Sequence, residues 1–391
     1  MVIVMLENIK SADWLREKNF INGQWVAADD GGTVVVEDPA TGIKIGTIAK
    51  SGATETRRAI DAAHAAFVNW SMTTAAERAE LLQQMARLVR EHLEDLAAML
   101  TLEQGKPLAE ARTEIKLGAD YIQWFAEEAR RINGEIIPSP WKDRQILVTR
   151  EPVGVVGAIS PWNFPFSMLA RKVAPALAAG CTIVIKPAEL TPYCGLLWGV
   201  LAEKAGIPAG VINVVTGNAA AIGSELTADP RVRKLTFTGS TGIGKLLYGQ
   251  SAQTMKKLSL ELGGNDPLIV LNDLGDADLD KAAAIAVAGA TGNSGQRCTA
   301  IKRILVQESV ADRFVPLVLE KAKKIRFGDP QDPETEPGCV IHAQAAEPFG
   351  NRVLQDAKEG PELLSHHPRP GALPPAHAPD LRPRGHSLRM A

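Results

Sequence analysis

The stretch Lys234-Leu235-Thr236-Phe237-Thr238-Gly239-Ser240-Thr241-Gly242-Ile243-Gly244 decides the fold class of this chain. Residues 235–238 are apolar or β-branched, a composition typical of a strand buried in a sheet. Gly239, Gly242 and Gly244 follow, and the pattern then takes a helical period. A strand that passes through a glycine-rich turn into a helix is typical of α/β proteins. We therefore predict an α/β fold.

Strands and helical patterns alternate on both sides of this stretch. The other predicted strands of the alternation are 156–159, 182–185, 211–215 and 259–262. Strands that alternate with helices form a parallel sheet covered on both faces, so we predict a doubly wound, Rossmann-like sheet. Ligands of such sheets bind beyond the carboxyl ends of the strands. After Gly263 a second α/β segment is predicted, with a helix over 279–290 and a strand over 303–306.

The chain before this sheet begins with predicted hairpins. The turn signals Asn22-Gly23 and Asp30-Gly31-Gly32 predict hairpin strands around residues 20–25 and 33–36. Residues 145–156 also alternate in the manner of a strand.

Helices are predicted between Thr54 and Ala129, where apolar residues recur at three and four positions. Such spacing indicates amphipathic helices that pack on one side. Thr74 precedes Glu77 by three residues, which is the spacing of a capping box, and Thr54 before Glu55 is a second predicted helix cap.

Composition excludes several classes of protein. The chain has 391 residues, 45% of them hydrophobic and 23% charged, which is typical of a soluble globular protein with two or three domains. A net charge of -2 gives no indication of nucleic-acid binding. Apolar runs such as 173–185 and 282–290 are too short to span a bilayer. No signal-peptide pattern follows residues 1–10, so we predict a cytoplasmic protein without membrane partners.

The cysteines indicate chemistry and not cross-linking. Cys181, Cys194, Cys298 and Cys339 are too few and too scattered for a disulfide framework or a paired-cysteine metal site, and no metal is predicted. Residues 291–300 read Thr-Gly-Asn-Ser-Gly-Gln-Arg-Cys-Thr-Ala, which places Cys298 among small residues and beside a cation. Because the thiolate is the nucleophile, access and a positive neighbour favour a reactive Cys298. A buried structural cysteine is the alternative for any single cysteine.

Five motifs in a fixed order resemble the aldehyde dehydrogenase superfamily. The resemblance covers about residues 22–352, and it is specific because several independent motifs agree. The motifs are Ser160-Pro161-Trp162-Asn163-Phe164-Pro165, Ile183-Val184-Ile185-Lys186-Pro187-Ala188-Glu189, the stretch 234–244, Leu258-Ser259-Leu260-Glu261-Leu262-Gly263-Gly264-Asn265, and the segment around Cys298.

The resemblance implies NAD(P)-dependent oxidation of an aldehyde to an acid. Cys298 would attack the aldehyde, and the thiohemiacetal would pass its hydride to the nicotinamide and leave a thioester for hydrolysis. Asn163 resembles the oxyanion donor, although an Asx-turn residue is its structural alternative. Glu261 resembles the general base. Its apolar neighbours Leu260 and Leu262 are expected to raise its pKa, the alternative being a solvated carboxylate at a strand end.

The cofactor site implied by the resemblance lies at the strand ends and at the glycine-rich turn. Lys186 is expected to reach the adenosine ribose, and Glu189 is expected to bind its hydroxyls, which favours NAD over NADP. Helix N-termini bind phosphate, so the pyrophosphate is expected near Ser240. The predicted contacts are Ile159, Ser160, Pro161, Trp162, Lys186, Ala188, Glu189, Phe237, Gly239, Ser240, Gly244, Leu262 and Gly263.

Two arginines are candidate ligands of an anionic aldehyde. The segment 164–181 is similar to succinate-semialdehyde dehydrogenases, in which the arginine matching Arg171 holds the distal carboxylate. Those enzymes carry a second arginine at the position of Gly292. Arg297, directly before Cys298, is instead similar to an arginine of phosphonoacetaldehyde dehydrogenases and of non-phosphorylating glyceraldehyde-3-phosphate dehydrogenases. A structural ion pair is the alternative for Arg297.

The predicted domain organisation follows the family. Residues 1–138 and 158–262 are expected to form the NAD-binding domain, 139–157 the bridging strands used in oligomer contacts, and 263–358 an incomplete catalytic domain. Family members are homodimers or homotetramers, and a C-terminal strand that completes the oligomer has no counterpart here.

Residues 359–391 carry no helical or strand period and are rich in proline and histidine. We expect this tail to be disordered and to result from truncation or a shifted reading frame. A histidine-rich metal tract is the alternative for the same residues. An aldehyde dehydrogenase-like subunit that is inactive and serves binding or assembly is a second interpretation of the chain.

A nucleotide hydrolase is the rival class. Gly239 and Gly244-Lys245 nearly match a P-loop, in which a hydroxyl residue after the lysine binds Mg²⁺. Leu246 stands at that position, which argues against the P-loop.

Overall fold

The computed structural model describes Glu7, Ile9, Asp13–Ala346 and three short strands beyond them. The described residues divide into two compact units. The first takes its residues from 1–37, 44–103 and 112–262, and the second from 38–43, 104–111 and 263–391.

Helices and strands follow one another along most of the described chain. Up to residue 262 they are β1 (Asn19–Ile21), β2 (Gln24–Val26), β3 (Thr33–Glu37), β4 (Lys44–Ala49), α1 (Ala53–Trp70), α2 (Ala75–Glu91), α3 (Leu93–Gln104), α4 (Leu108–Glu128), β5 (Glu135–Ile137), β6 (Ile146–Val148), β7 (Val155–Ile159), α5 (Ser167–Ala178), β8 (Thr182–Lys186), α6 (Tyr193–Ala205), β9 (Ile212–Val214), α7 (Ala219–Ala228), β10 (Val232–Thr238), α8 (Thr241–Ser251) and β11 (Lys257–Glu261). After it come β12 (Asp266–Val270), α9 (Asp276–Thr291), β13 (Ile301–Val306), α10 (Glu308–Lys323), β14 (Glu362–Leu363), β15 (Asp380–Leu381) and β16 (Ser387–Arg389).

A seven-stranded sheet organises the first unit, in the order β11-β10-β7-β8-β9-β1-β2. Its first five strands are parallel, and the β1–β2 hairpin adds an antiparallel edge next to β9. Buried side chains of α1 and α7 pack against the strands, including Ala59, Ile60 and Leu226. The prediction of an α/β fold with a doubly wound parallel sheet is confirmed.

The β1–β2 hairpin turns at Asn22-Gly23 as predicted, with positive φ angles of 51° and 75°. A type I′ hairpin turn requires positive φ at both positions, which asparagine and glycine tolerate best. A Cβ at Gly23 would also lie 3.0 Å from the Ala209 Cβ.

One of the two predicted helix caps is present. Thr74 Oγ1 accepts from Glu77 N at 3.2 Å, and Glu77 accepts from Thr74 N at 2.7 Å, so the capping box at α2 is confirmed. The prediction for Thr54 is wrong, because α1 begins one residue before it and Glu55 accepts from Gly52 N at 2.9 Å. The side chain of Glu55 therefore satisfies the helix end without a hydroxyl cap.

The predicted bridging segment 139–157 is divided differently in the structure. β5 and β6 form a separate antiparallel pair, and β5 precedes residue 139. β7 begins at Val155, so its first residues belong to the central sheet. The side chains of Ile136 and Leu147 on the hairpin are 81% and 66% exposed.

In the second unit, β12 and β13 pair in parallel, and α9 and α10 bury a core that includes Phe314 and Ile304. Residues 38–43 and 104–111, which the sequence assigned to the cofactor domain, join this unit. The backbone explains the difference: Cys339 N donates to Gly105 O at 3.2 Å, and Leu108 N donates to Pro330 O at 3.0 Å.

Three short strands lie within the tail for which the sequence predicted disorder. β14, β15 and β16 lie within residues 359–391, and β16 pairs antiparallel with β13. Backbone groups along the free edge of β13 can pair with an extended chain whatever its side chains are, so periodicity gave no signal of these strands. The predicted metal tract falls on residues outside the described part of the chain.

Candidate active site

The carboxyl ends of four neighbouring strands meet at one edge of the central sheet. In the register, Ile159 pairs with Lys186 and with Phe237, and Thr238 pairs with Glu261. The predicted Glu261, the loop that carries Asn163 and the glycine-rich turn therefore start from adjacent strands, as the fold requires of a ligand site.

The loop of Asn163 is anchored at both ends. At its start, Ser160 N donates to Lys186 O at 3.2 Å. At its end, Phe166 N and Ser167 N each donate to Glu114 Oε1 at 3.0 Å. Asn163 itself is half-buried between these anchors.

Glu114 is a residue that sequence reasoning missed. It is buried on α4, and its carboxylate accepts from the free N–H groups that begin α5. A carboxylate at a helix N-terminus satisfies these donors in the way a cap does. Its signal in the sequence is an acidic residue on the same helix face as the apolar Ala111, Ile115 and Gly118.

Glu261 is exposed at the end of β11, which corrects the expected desolvation. Side chains alternate across a strand, so Leu260 and its neighbours Leu258 and Leu262 turn toward the core while Glu261 turns away. Apolar neighbours in the sequence therefore do not bury this carboxylate. A carboxylate open to solvent is accessible to water.

Lys172, on α5, is a second residue that sequence reasoning missed. It is 6% exposed, and its Nζ donates to Thr238 Oγ1 at 2.7 Å and to Thr236 Oγ1 at 3.2 Å. Burial lowers the pKa of Lys172 to about 8, while the negative charge of Glu261 opposes that shift. A buried cation thus lies within electrostatic range of the predicted base.

Lys186 and Glu189 form an ion pair at the end of β8. Lys186 Nζ donates to Glu189 Oε1 at 2.7 Å. Burial lowers the pKa of Lys186, and Glu189 opposes the shift. The side chain of Glu189 is 38% exposed, so it can still accept from a ligand hydroxyl. Nearby, Ser160 Oγ is buried without a hydrogen-bond partner in the described chain. These two features fit a polar ligand at this edge, because buried polar groups otherwise have partners.

The glycine-rich turn presents the N-terminus of α8. Ser240 caps the helix, its Oγ accepting from Ile243 N at 3.4 Å. A Cβ at Gly244 would lie 2.5 Å from Leu262 Cδ2, whereas a Cβ at Gly242 would meet no atom within 4 Å. Gly244 thus lets α8 pack closely on Leu262, and the open helix end beside Gly242 has free N–H groups that suit a phosphate.

The remaining predicted contacts of this group lie at the same strand ends. Ala188, Phe237 and Ile159 are buried, while Trp162 and Pro161 are half-buried in the loop before α5. Gly239 N donates to Glu261 O at 3.0 Å, which joins the turn to β11, and Gly263 follows Leu262 where the second unit begins.

Cys298 lies in the second unit and is exposed, whereas the other three cysteines are buried. Burial raises the pKa of the Cys181 thiol and raises that of Cys339 to about 12. Only Cys298 therefore combines access with a thiol free of such burial.

The loop before Cys298 is held by side chains from elsewhere in its unit. Asn293 has a positive φ of 52° and donates its N–H to Glu110 Oε2 at 2.9 Å. Gln296 Oε1 accepts from Ile341 N at 2.9 Å, and its Nε2 donates to Asn293 O at 3.1 Å. Sequence reasoning missed Glu110, whose only signal is an acidic residue in the first turn of α4.

Arg297 is engaged with its own unit. Its Nη2 donates to Gly289 O at 2.6 Å, near the C-terminal end of α9, where a cation is favourable. A Cβ at Gly292 would lie 3.2 Å from Arg297 Cζ, so the guanidinium occupies the space of a side chain at 292. Arg297 Nε is buried without a partner in the described chain.

Arg171 is exposed on α5, beside Tyr121 of α4. Its Nη2 donates to Tyr121 Oη at 2.9 Å, and its Cζ lies 4.9 Å from the centroid of that ring. No carboxylate of the described residues lies within 4.0 Å of Arg171. The structure therefore groups Arg171, Asn163, Glu261 and the predicted cofactor contacts up to Leu262 in the first unit, and Gly263, Arg297 and Cys298 in the second.

Two classes of feature are absent from the described residues. They contain no cluster of three or more histidine, cysteine or acidic side chains able to hold a metal ion. Nor do they include a helix with the length and apolar character needed to cross a membrane.

Comparison with known proteins identifies the family. A model described as "Aldehyde dehydrogenase family" matches residues 25–373. The chain is 49% identical to a 3-sulfolactaldehyde dehydrogenase of Pseudomonas putida, over 92% of this chain and 74% of that one. It is 47% identical to an NADP(+) succinate-semialdehyde dehydrogenase of Escherichia coli K12, over 91% and 73%. The crystal structure of succinate-semialdehyde dehydrogenase from Burkholderia pseudomallei superimposes with a TM-score of 0.90 at 46% identity, covering 94% of this chain and 76% of that one. The chain therefore belongs to the aldehyde dehydrogenase family.

Proposed function

We propose that this chain oxidises an anionic semialdehyde, of which succinate semialdehyde is the model, to the carboxylic acid through a covalent intermediate on Cys298. Membership of the family makes the chain an NAD(P)-dependent aldehyde oxidoreductase. The observation that carries the substrate class is Arg171, an exposed guanidinium with no carboxylate partner in the described chain.

Cys298 supplies the nucleophile in this proposal. Its sulfur forms a bond to the aldehyde carbon while the carbonyl electron pair moves to oxygen, which gives a thiohemiacetal. The bound nicotinamide supplies the acceptor for the hydride that leaves when this oxyanion collapses. The thioester left on Cys298 is hydrolysed by water, which releases the acid and restores the thiol.

Asn163 stabilises the oxyanion in this proposal, through its side-chain amide, together with the backbone N–H of Cys298. A preorganised donor of this kind contributes about 3 kcal/mol to the transition state. The anchoring of the Asn163 loop by Glu114 and by Lys186 O supports the role, because a donor acts only while it is held in place.

Glu261 takes a proton from the thiol or from the hydrolytic water. Its exposure supports this role, since a general base must reach the water that it activates. The buried cation of Lys172 lies within electrostatic range of this carboxylate.

The cofactor is held by chain groups that suit a dinucleotide. Lys186 and Glu189 bind the ribose, and the N-terminus of α8 at Ser240 receives the pyrophosphate. The Glu189 carboxylate favours NAD over NADP, but its ion pair with Lys186 at 2.7 Å offsets the charge that would repel a 2′-phosphate. Both cofactors are therefore compatible with this site.

Among anionic tails, a carboxylate fits better than a phosphonate. The phosphonoacetaldehyde interpretation depends on Arg297, and that guanidinium is bound to Gly289 O and packed on Gly292. Arg171 has no such engagement with the backbone. The sulfonate tail of a sulfolactaldehyde remains a third substrate to compare, because a guanidinium binds it in the same way.

The test is NAD(P)H formation with succinate semialdehyde, glutarate semialdehyde, 3-sulfolactaldehyde, phosphonoacetaldehyde and butanal, each with NAD and with NADP. We expect kcat/KM for a carboxylate semialdehyde to exceed that for butanal by about tenfold or more, as a charge-assisted contact implies. Equal values for butanal would refute the anionic substrate. No turnover with any aldehyde would favour an inactive binding or assembly subunit.

A further inference from the structure

We infer that Tyr121 is a specificity-determining residue, which fixes the Arg171 guanidinium and adds its own O–H to a two-donor receptor for the distal anion of the substrate. This inference rests on the proposed function, since it requires a substrate whose charged end reaches Arg171.

Two contacts hold Arg171 in one orientation. Its Nη2 donates to Tyr121 Oη at 2.9 Å, and its Cζ lies 4.9 Å from the ring centroid. Arginine has many rotamers, and ordering it on ligand binding costs free energy. A guanidinium that is stacked and hydrogen-bonded before the ligand arrives avoids part of that cost.

No described residue forms an ion pair with the Arg171 guanidinium. Arg112 on the same α4 is paired with Glu94 at 2.7 Å, whereas no carboxylate of the described chain lies within 4.0 Å of Arg171. Within the described part of the chain, the acceptor for its Nη1 is Met168 Sδ at 3.9 Å, and a thioether is a weak acceptor. The neighbouring Lys172 is buried, and the charge of Arg171 helps to lower its pKa, so the two positive groups lie within electrostatic range of each other. An exposed cation without a counter-ion, beside another cation, attracts an anion from solution.

The phenol supplies the second donor. Tyr121 Oη uses a lone pair to accept from Arg171, which leaves its own hydrogen free, and no described residue accepts that hydrogen. Accepting from a charged donor polarises the O–H and strengthens the bond that it donates. One oxygen of a carboxylate can therefore bind Arg171 while the other, or the same one, binds Tyr121.

The surroundings of the pair suit a short apolar chain that ends in an anion. Leu117 lies one helical turn before Tyr121 on the same face of α4, and its side chain is 43% exposed. An aliphatic chain can pack against Leu117 while its charged end reaches Tyr121 and Arg171.

The experiment compares ligands with and without the distal anion. Tyr121→Phe removes the O–H and keeps the ring under the guanidinium, Arg171→Ala removes the cation, and Tyr248→Phe is the same substitution at a 64% exposed tyrosine elsewhere. Calorimetry measures Kd for succinate and for butanoate, and kinetics measure KM for succinate semialdehyde and for butanal.

We expect Tyr121→Phe to weaken succinate binding by about tenfold and to change butanoate binding by less than about twofold. KM for succinate semialdehyde should rise by a similar factor with kcat little changed. Tyr248→Phe should leave both ligands as in the wild-type chain.

The outcomes separate the inference from the proposed function. If Arg171→Ala weakens succinate selectively while Tyr121→Phe does not, Tyr121 has no part in the receptor and the anionic substrate stands. If Tyr121→Phe weakens succinate and butanoate alike, its role is structural and the inference is wrong. If Arg171→Ala is also without selective effect, the anionic substrate itself is refuted.

Discussion

At the scale of single residues, exposure distinguishes Cys298 from the other cysteines. The thiols of Cys181, Cys194 and Cys339 are buried, and burial raises the pKa of Cys181 and Cys339. We therefore expect limiting iodoacetamide to alkylate Cys298 first, as read by peptide mass spectrometry. Cys298→Ser should abolish both the label and NAD(P)H formation. Preferential labelling of Cys194 would contradict the assignment of the nucleophile.

Lys256 gives a prediction about pH at the same scale. Its Nζ donates to the carbonyl oxygens of Leu226, Asp229 and Val232 at 2.9 to 3.0 Å, and burial lowers its pKa to about 8. Between about pH 8 and the ordinary lysine range the unfolded chain binds the extra proton, so this group makes the free energy of unfolding rise with pH in that interval. Below pH 8 its contribution is constant.

Lys256→Met should remove that rise and lower the free energy of unfolding by about 2 kcal/mol, because three carbonyls lose their donor. Urea denaturation at several pH values measures both effects. A variant with the stability and the pH slope of the wild-type chain would show that the lysine is not buried as described.

Some residues of the candidate site could be predicted from the sequence, and others could not. Cys298, Asn163 and Glu261 stand in motifs whose local pattern points to chemistry. Glu114 and Lys172 act through partners 52 to 66 positions away, a separation at which only the folded chain reveals the contact. The expectation that Glu261 is desolvated is wrong, because adjacent residues of a strand face opposite sides.

At the scale of elements, the start of α5 depends on α4. Glu114 accepts from Phe166 N and Ser167 N, and these donors follow the loop of Asn163. Glu114→Ala should lower kcat and also the free energy of unfolding by about 2 kcal/mol, since two buried N–H groups lose their acceptor. Glu114→Gln keeps an acceptor oxygen and should recover most of both.

Stopped-flow turnover and thermal unfolding of the two variants test this link. If Glu114→Ala lost stability but kept kcat, α4 would support the fold without fixing the Asn163 loop. Glu94→Ala is the matched control. Glu94 lies on α3, and its solvent-accessible side chain pairs with Arg112 of α4.

Elements were predictable wherever local pattern and tertiary packing agree. All five parallel strands of the sheet were predicted within about three residues of their ends, because buried runs between glycine-rich turns are distinctive. The prediction of a cap at Thr54 was wrong, since the start of α1 is capped by the side chain of the next residue, Glu55. The strands β14 to β16 have no periodic signal in the sequence, although β14 pairs with β15 and β16 pairs with β15 and β13.

At the scale of the whole molecule, the chain divides into two units. The sequence indicates a division after Leu262, but it does not indicate that two earlier segments belong to the second unit. Residues 38–43 and 104–111 join the second unit through backbone bonds such as Cys339 N to Gly105 O. A local pattern carries no record of such long-range contacts. The contacts of Arg171 and Arg297, on which the proposed substrate class rests, were hidden from the sequence for the same reason.

The most direct test of the account is the intact mass of Glu261→Gln after mixing with succinate semialdehyde and NAD. We predict a burst of NADH of about one equivalent per chain, then a stall with a succinyl thioester on Cys298, because deacylation lacks its base. Butanal at the same concentration should give much less adduct. Steady turnover at the wild-type rate, or an adduct on any residue other than Cys298, would contradict the account.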